Sequence, residues 1–326
     1  MTRKEIITQL EKEQGTKIVT YITGDRQPFP TQIASDVIPL LSNQLEKISS
    51  SKIISLFLYT TGGDILTPIR VAKLIRNHCE EFEVLVPYKA HSAGTLIALG
   101  ADRIVMGKLG ELTPVDPSTG HPFNPPNPKN PTQNLAISVE DLNSYFMLAK
   151  EKAKVKDEQM IEVYKVLTDK LHPLSLGNTY RAYRMAKKIT EKLLYLHMDK
   201  KTEKNKIAKI VKEMTGDITI HAYPIDRDEA KELGLKICNP SDSVGQLMKE
   251  LYDDYAKTMK LGQPFHPTEF LGDNEIAKFE YVSAYMEGSD LSYQFTLNGK
   301  VQKSIKNNQS TIDMNLESQS WKEKTT

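Results

Sequence analysis

Little in this chain is available for redox, metal or membrane chemistry. Its two cysteines, Cys79 and Cys238, lie far apart and without a metal-ligand spacing. Neither a disulfide framework nor a zinc site is expected, and both read as buried structural thiols of a reducing compartment. No apolar run reaches 18 residues, so no membrane-spanning helix is expected. An excess of one charge is missing too. The 43 Lys and Arg residues stand against 42 Asp and Glu, a net charge of +1, which gives no electrostatic case for a nucleic-acid or anionic-membrane partner. There is no phosphate-binding loop, dinucleotide fingerprint or His/Cys metal pattern, so neither cofactor nor metal is expected. The first five residues lead into a charged amphipathic helix rather than an apolar leader. A secretory signal is therefore not expected, and the cytoplasm is the expected location.

What remains is an ordinary globular composition, 39% hydrophobic and 26% charged over 326 residues, with no internal repeat. That is enough chain to bury a real core. Periodicity predicts helices over 3–13 and 31–49 and strands over 17–23 and 53–59. The second strand is a near-continuous apolar run, as in a sheet covered on both faces. Thr60-Thr61-Gly62-Gly63-Asp64 then turns into a helix reaching Cys79, 82–86 is a strand, 96–100 is helical and 103–106 is a short strand. This alternation is an α/β pattern of right-handed crossovers. Both unusual turns fall at the carboxyl ends of strands, where open α/β sheets place their ligands. Proline density over 113–131 leaves an extended, functional or disordered loop. Ser138 to Asp141 resembles a capping box opening a helix to about Lys156, followed by helices over 157–170, 176–198 and 202–215. A short extended segment over 216–223, a helix ended by Gly234, a helix over 242–260 and a hairpin of 280–285 with 291–297 complete the reading. Past Lys303 the polar composition predicts a frayed tail.

The stretch Tyr88-Lys89-Ala90-His91-Ser92-Ala93-Gly94-Thr95 has the build of a nucleophile elbow. Small neighbours allow a tight strand-to-helix turn that lifts the Ser92 hydroxyl clear of the backbone. A lone serine before a helix is more often an N-cap, by roughly four to one. A Gly-Gly pair alone is more often a plain turn, by about three to one. Their occurrence one crossover apart reverses those odds. Glycine lets the turn aim a backbone N–H, so Gly63 and Ala93 are the candidate oxyanion donors, and Gly62 lies on the substrate side. Successive residues at a corner point apart, which makes His91 a pocket wall rather than a base.

Together, Thr60-Thr61-Gly62-Gly63-Asp64, the run from Ala90 to Met106, Pro114-Val115-Asp116-Pro117, His221-Ala222-Tyr223-Pro224-Ile225 and the segment 229–235 resemble the serine dehydrogenase proteinase (SDH) family. That family is a branch of the Clp-protease/crotonase superfamily, more distantly similar to signal peptide peptidases. The resemblance covers roughly 15–240. It implies an α/β fold with a Clp/crotonase-like ββα-repeat core, a protease domain over 1–241 and a helical insert at about 138–215. The remaining 242–326 would be a C-terminal helix, a possible hairpin and a flexible tail. It further implies trimers or hexamers and an acyl-transfer site on Ser92. Two departures stand out: Ala93 where archaeal relatives tend to have Gly, and Thr113 where a Gly commonly precedes Pro-Val-Asp-Pro.

By comparison with Clp-type proteases, His221 is the expected general base and Asp116 its orienter, with their chain positions exchanged. A histidine near a proline turn is as often structural, and Asp116 between two prolines suits a turn equally well. The rival is a Ser–Lys dyad as in signal peptide peptidases. The nearest lysines, Lys150, Lys152 and Lys154, lie on a charged stretch that reads as a solvated face. The expected function is an ATP-independent serine peptidase acting on peptides or unfolded protein through a Ser92 acyl-enzyme. The alternatives are a crotonase-like acyl-CoA enzyme, which needs no serine nucleophile, and an inactive Clp-fold scaffold.

Overall fold

The computed structural model describes residues 1–48, 51–116, 119–128, 130–217, 222–306 and 309–324. Helix α1 (Arg3–Gln14) starts in a reciprocal box, the Thr2 hydroxyl accepting from the Glu5 N–H while the Glu5 carboxylate accepts from the Thr2 N–H. It stops at Gly15, in the left-handed region at φ 70°. One unit then recurs: a long strand, a short extended stretch, a helix. The first round is β1 (Lys17–Thr23), the stretch around Ile33 and α2 (Val37–Lys47). The second is β2 (Ile53–Tyr59), residues 60–63 and α3 (Thr67–Arg76). The third is β3 (Glu81–Val86), β4 (Lys89–Ala90) and α4 (Ala93–Leu99). Strands β5 (Arg103–Met106) and β6 (Glu111–Leu112) open a fourth.

The long strands pair in parallel in the order β1-β2-β3-β5. The short stretches form their own parallel ladder, through Ile33 with Gly63, Thr60 with Ala90, and Ala90 with Leu112. This is the ββα repeat of a Clp-like α/β fold. The expected helix over 31–49 begins only at Val37. The Ile33 N–H donates to Gly62 O and its carbonyl accepts from the Asp64 N–H, both at 2.8 Å, so its main chain is committed to the ladder.

Next come β7 (Pro126–Asn127), β8 (Asn130–Asn134) and α5 (Val139–Met147). Ser138 caps α5, its Oγ accepting from the Glu140 and Asp141 N–H groups. The helix expected to reach Lys156 passes instead into a π turn over Leu148–Lys152 and ends there. Helices α6 (Met160–Lys170), α7 (Pro173–Leu194) and α8 (Lys204–Lys212) follow. Then come α9 (Arg227–Glu232), β9 (Ile237–Cys238), α10 (Asp242–Met259), α11 (Pro267–Leu271), β10 (Ile276–Glu287), β11 (Ser292–Lys306) and β12 (Gln309–Lys324).

The chain divides into two compact units: a sheet unit, 1–112 with 226–326, and a helical unit, 113–225. The sheet unit holds one eight-stranded mixed sheet, β12-β11-β10-β1-β2-β3-β5-β9. Helix α10 packs Leu247, Met248, Leu251 and Tyr255 against Ile6, Ile7 and Leu10 of α1 and Ile18 and Ile22 of β1. Each such side chain, fully buried, contributes about 1.5–3 kcal/mol. The polar tail expected to fray is β12, paired along its length with β11. An edge strand solvated on one side needs few apolar residues. Trp321 supplies one of them, packing on Phe295 and donating its indole N–H to Asp36 Oδ2 at 2.9 Å. Residues 242–326 are thus part of the same unit as β1 rather than an appended extension. Cys79 and Cys238 are half-buried, unbridged thiols. Among the described residues no helix is long and apolar enough to cross a membrane.

Candidate active site

Ser92 stands between β4 and α4 with φ 51° and ψ −107°, a positive-φ conformation outside the left-handed helical region at a residue with a Cβ. Such a conformation costs on the order of 1–3 kcal/mol and persists only where the surroundings enforce it. They do so on both sides. From Ala93 to Gly100 every residue is buried, so α4 is fixed by packing. Upstream, the His91 N–H donates to Thr60 O at 3.1 Å and the His91 carbonyl accepts from the Gly94 N–H at 2.7 Å. Ser92 occupies the N-cap position of α4, yet its Oγ makes no capping hydrogen bond. The corner presents the half-buried hydroxyl rather than spending it on the helix.

The Gly62-Gly63 turn lies directly against this serine. A Cβ added to Gly62 would stand 2.9 Å from Ser92 Cβ and 3.4 Å from Ser92 Oγ, and Gly62 itself is at φ 117°. Gly63, at φ 149°, has no room either, since a Cβ there would meet Ile33 O at 2.3 Å. Only glycine fits at both positions. Because Ile33 pairs with Gly62 O and the Asp64 N–H, the Gly63 N–H is not drawn into that ladder. Among the described residues neither the Gly63 nor the Ala93 N–H has an acceptor. Unspent donors beside a hydroxyl are what an oxyanion requires. Ser92, Gly62, Gly63, His91 and Ala93 therefore meet in the sheet unit.

Polar residues that the sequence did not single out complete the surroundings. His91 Nε2 and Glu111 Oε1 are 2.8 Å apart, with side chains 19% and 21% exposed. Two residues upstream, Lys89 Nζ donates to Asp25 Oδ2 at 3.1 Å, and the same carboxylate accepts from the Tyr59 hydroxyl and the Gly262 N–H. Burial opposes the charge on Asp25, but the Gly262 N–H, Tyr59 and Lys89 outweigh it and hold its carboxyl below the ordinary value. Burial, followed by the charge of Asp25, pushes the Tyr59 hydroxyl well up. Glu111 lies 20 residues from His91 and carries no motif, so only the β4–β6 pairing could reveal it.

Asp116 belongs to the helical unit, where its Oδ2 accepts from Ser138 Oγ at 2.8 Å. His221 lies outside the described residues. Lys150 pairs with Asp157 at 2.9 Å with both side chains exposed, as a solvated face would. Among the described residues there is no cluster of His, Cys, Asp and Glu able to hold a metal ion.

Comparison with known proteins follows the same lines. A family model described as ClpP-like SDH-type serine proteinase matches residues 1–192. Two uncharacterized proteins of Methanocaldococcus jannaschii are similar in sequence. MJ0137 is 29% identical over 259 residues, 77% of this chain and 79% of the relative. MJ1495 is 27% identical over 267 residues, 79% of this chain and 78% of the relative. Two solved structures of the 1510-N membrane-bound stomatin-specific protease also match. A serine-to-alanine mutant covers 70% of this chain and 80% of its own, at 15% identity and a TM-score of 0.38. A lysine-to-alanine mutant in complex with a substrate peptide covers 67% and 75%, at 17% identity and a TM-score of 0.38.

Proposed function

The chain belongs to the ClpP-like SDH-type serine proteinase family, and from that premise we propose that it hydrolyses peptide bonds through an acyl-enzyme on Ser92, without ATP. The observation that carries this reading is the strained, uncapped Ser92 set against the Gly62-Gly63 turn. In the proposed reaction Ser92 Oγ attacks the scissile carbonyl carbon and its proton passes to a general base. The N–H groups of Gly63 and Ala93 hold the oxyanion of the tetrahedral intermediate, a contribution of about 10²–10³-fold per donor. The C–N bond then breaks, the base returns the proton to the departing amine, and water releases the acyl group by the reverse sequence.

His221 is the proposed base and Asp116 its orienter. The support is the order of the His221-Ala222-Tyr223-Pro224-Ile225 segment relative to Clp-type proteases. Gly62 and His91 would flank the bound peptide. Substrates would be peptides or unfolded protein, the working form a cytoplasmic homo-oligomer, a trimer or hexamer, and no cofactor would be needed. The test is labelling by a fluorophosphonate probe together with peptide cleavage, in wild type and Ser92→Ala. The wild type is expected to be labelled at Ser92 and to cleave, and the variant to do neither. Equal labelling of the two would falsify the acyl-enzyme.

A further inference from the structure

The two arms of the Ser92 corner are held by different means. The downstream arm, α4, is buried throughout. Upstream, Tyr88, Lys89 and His91 are only half-buried, and Ala90 alone is fully enclosed. Tyr88 packs on Tyr59 and Tyr252 and so holds the start of that arm, while nearer Ser92 the half-buried Lys89 and His91 are held by polar contacts. The arm's main chain pairs with Thr60 on one side and with β6 on the other, where the Glu111 N–H donates to Tyr88 O at 2.8 Å. One side chain closes the same short loop a second time: His91 Nε2 to Glu111 Oε1 at 2.8 Å.

We infer that the His91–Glu111 contact is a positioning device for the nucleophile, setting the direction of Ser92 Oγ relative to the Gly63 and Ala93 N–H groups. The inference rests on Ser92 being that nucleophile. His91 is the residue whose ψ precedes the strained φ of 51° at Ser92. A small rotation there swings Oγ away from both donors, because the corner has a single tight turn in which to absorb it. A carboxylate–imidazole hydrogen bond of this length is of the strong, directional kind, and a side chain four-fifths enclosed keeps it from being the loose surface pair that contributes almost nothing. Misplacement of a reacting atom by about 1 Å costs about 10²-fold in rate. Glu111 and His91 act through Ser92 and take no part in proton transfer.

The experiment compares second-order labelling of Ser92 by a fluorophosphonate in wild type, Glu111→Ala, His91→Ala, the double variant and Glu111→Gln, with thermal melting of each. Glu111→Ala and His91→Ala are expected to label about 10- to 100-fold more slowly at temperatures where both remain folded. For a peptide ester the loss in Glu111→Ala, which leaves the substrate-flanking His91 in place, should fall on kcat with KM unchanged. The double variant should be no slower than either single one, as for one shared contact. Glu111→Gln keeps an acceptor for Nε2–H and should restore labelling to within about 3-fold of wild type, a rescue that simple loss of packing would not show. Wild-type labelling in Glu111→Ala or His91→Ala, or losses that add in the double variant, would overturn the positioning role while leaving the acyl-enzyme intact. A folded wild type that is not labelled at Ser92 would instead overturn the acyl-enzyme, and this inference with it. Should Glu111→Ala not fold, His91→Ala and Glu111→Gln decide the matter by the same criteria.

Discussion

The sheet unit and the helical unit treat the same kind of residue differently. In the sheet unit, amphipathic helices find their partners within the unit: α10 closes on α1 and β1 with Leu251 and Tyr255 wholly buried. In the helical unit, α6 carries Ile161, Tyr164 and Val166 exposed and encloses none of its residues. Of the 18 exposed large apolar side chains among the described residues, eleven lie within 113–225, about a third of the chain. A helical period is thus sufficient to form a helix but not to bury it. Burial needs a facing surface, and the extended sheet supplies one. The consequence for function is that the strained serine is joined directly to α4, a helix buried along its whole length, and such a fixed neighbour is what retains a strained conformation.

Substitutions can break this comparison. The largest effect is expected at Gly63→Ala, where the new Cβ would stand 2.3 Å from Ile33 O. Fluorophosphonate labelling should fall by about 10²–10³-fold as the oxyanion donor is displaced. Leu251→Ala in α10 should destabilise by about 2–5 kcal/mol in denaturant melts. A cost below 1 kcal/mol would mean that the sheet-unit core is looser than its burial says. Ser138→Ala removes the α5 cap in the helical unit and should cost about 1 kcal/mol.

Asp25 gives a pH-dependent test. Its folded value lies below the ordinary carboxylate value of about 3.9. The stability it contributes is therefore present above that ordinary value and is lost as pH falls through the lower, folded one. Melts of wild type and Asp25→Asn should differ most above pH 4 and converge in stronger acid. The smallest effect is expected at Val166→Ala on α6, within about 0.5 kcal/mol. A cost of 2 kcal/mol or more, especially one that grows with protein concentration, would show that a partner covers α6 in solution and would erase the contrast between the units.

Much of the site was legible because its parts carry local signatures. Ser92 with small neighbours, and two glycines after an apolar strand, are combinations whose backbone demands show in the residue types themselves. The structure sharpened Ser92 in one respect: it takes the cap position without capping. Glu111 and Asp25 were not legible, since an acidic residue in a short strand or a turn looks the same whether it faces water, a histidine or a lysine. Ile33 was misread as helical for a related reason. Its apolar spacing fits α2, yet its main chain is taken by Gly62 and Asp64, a pairing fixed by chain neighbours about 30 residues away. The polar tail misled in the opposite direction, because strand β12 is held by main-chain pairing to β11 rather than by apolar content.

Local sequence was enough for the parallel strands β1, β2, β3 and β5, for a helix start such as Ser138 and for the two special turns, where residue type and short-range spacing carry the signal. Tertiary structure alone decided the short-strand ladder, the joining of the tail to the main sheet and the pairing of His91 with Glu111. Each of these is a hydrogen bond between segments distant in the chain. Its donors and acceptors are common to many residues, and only the fold selects which of them meet.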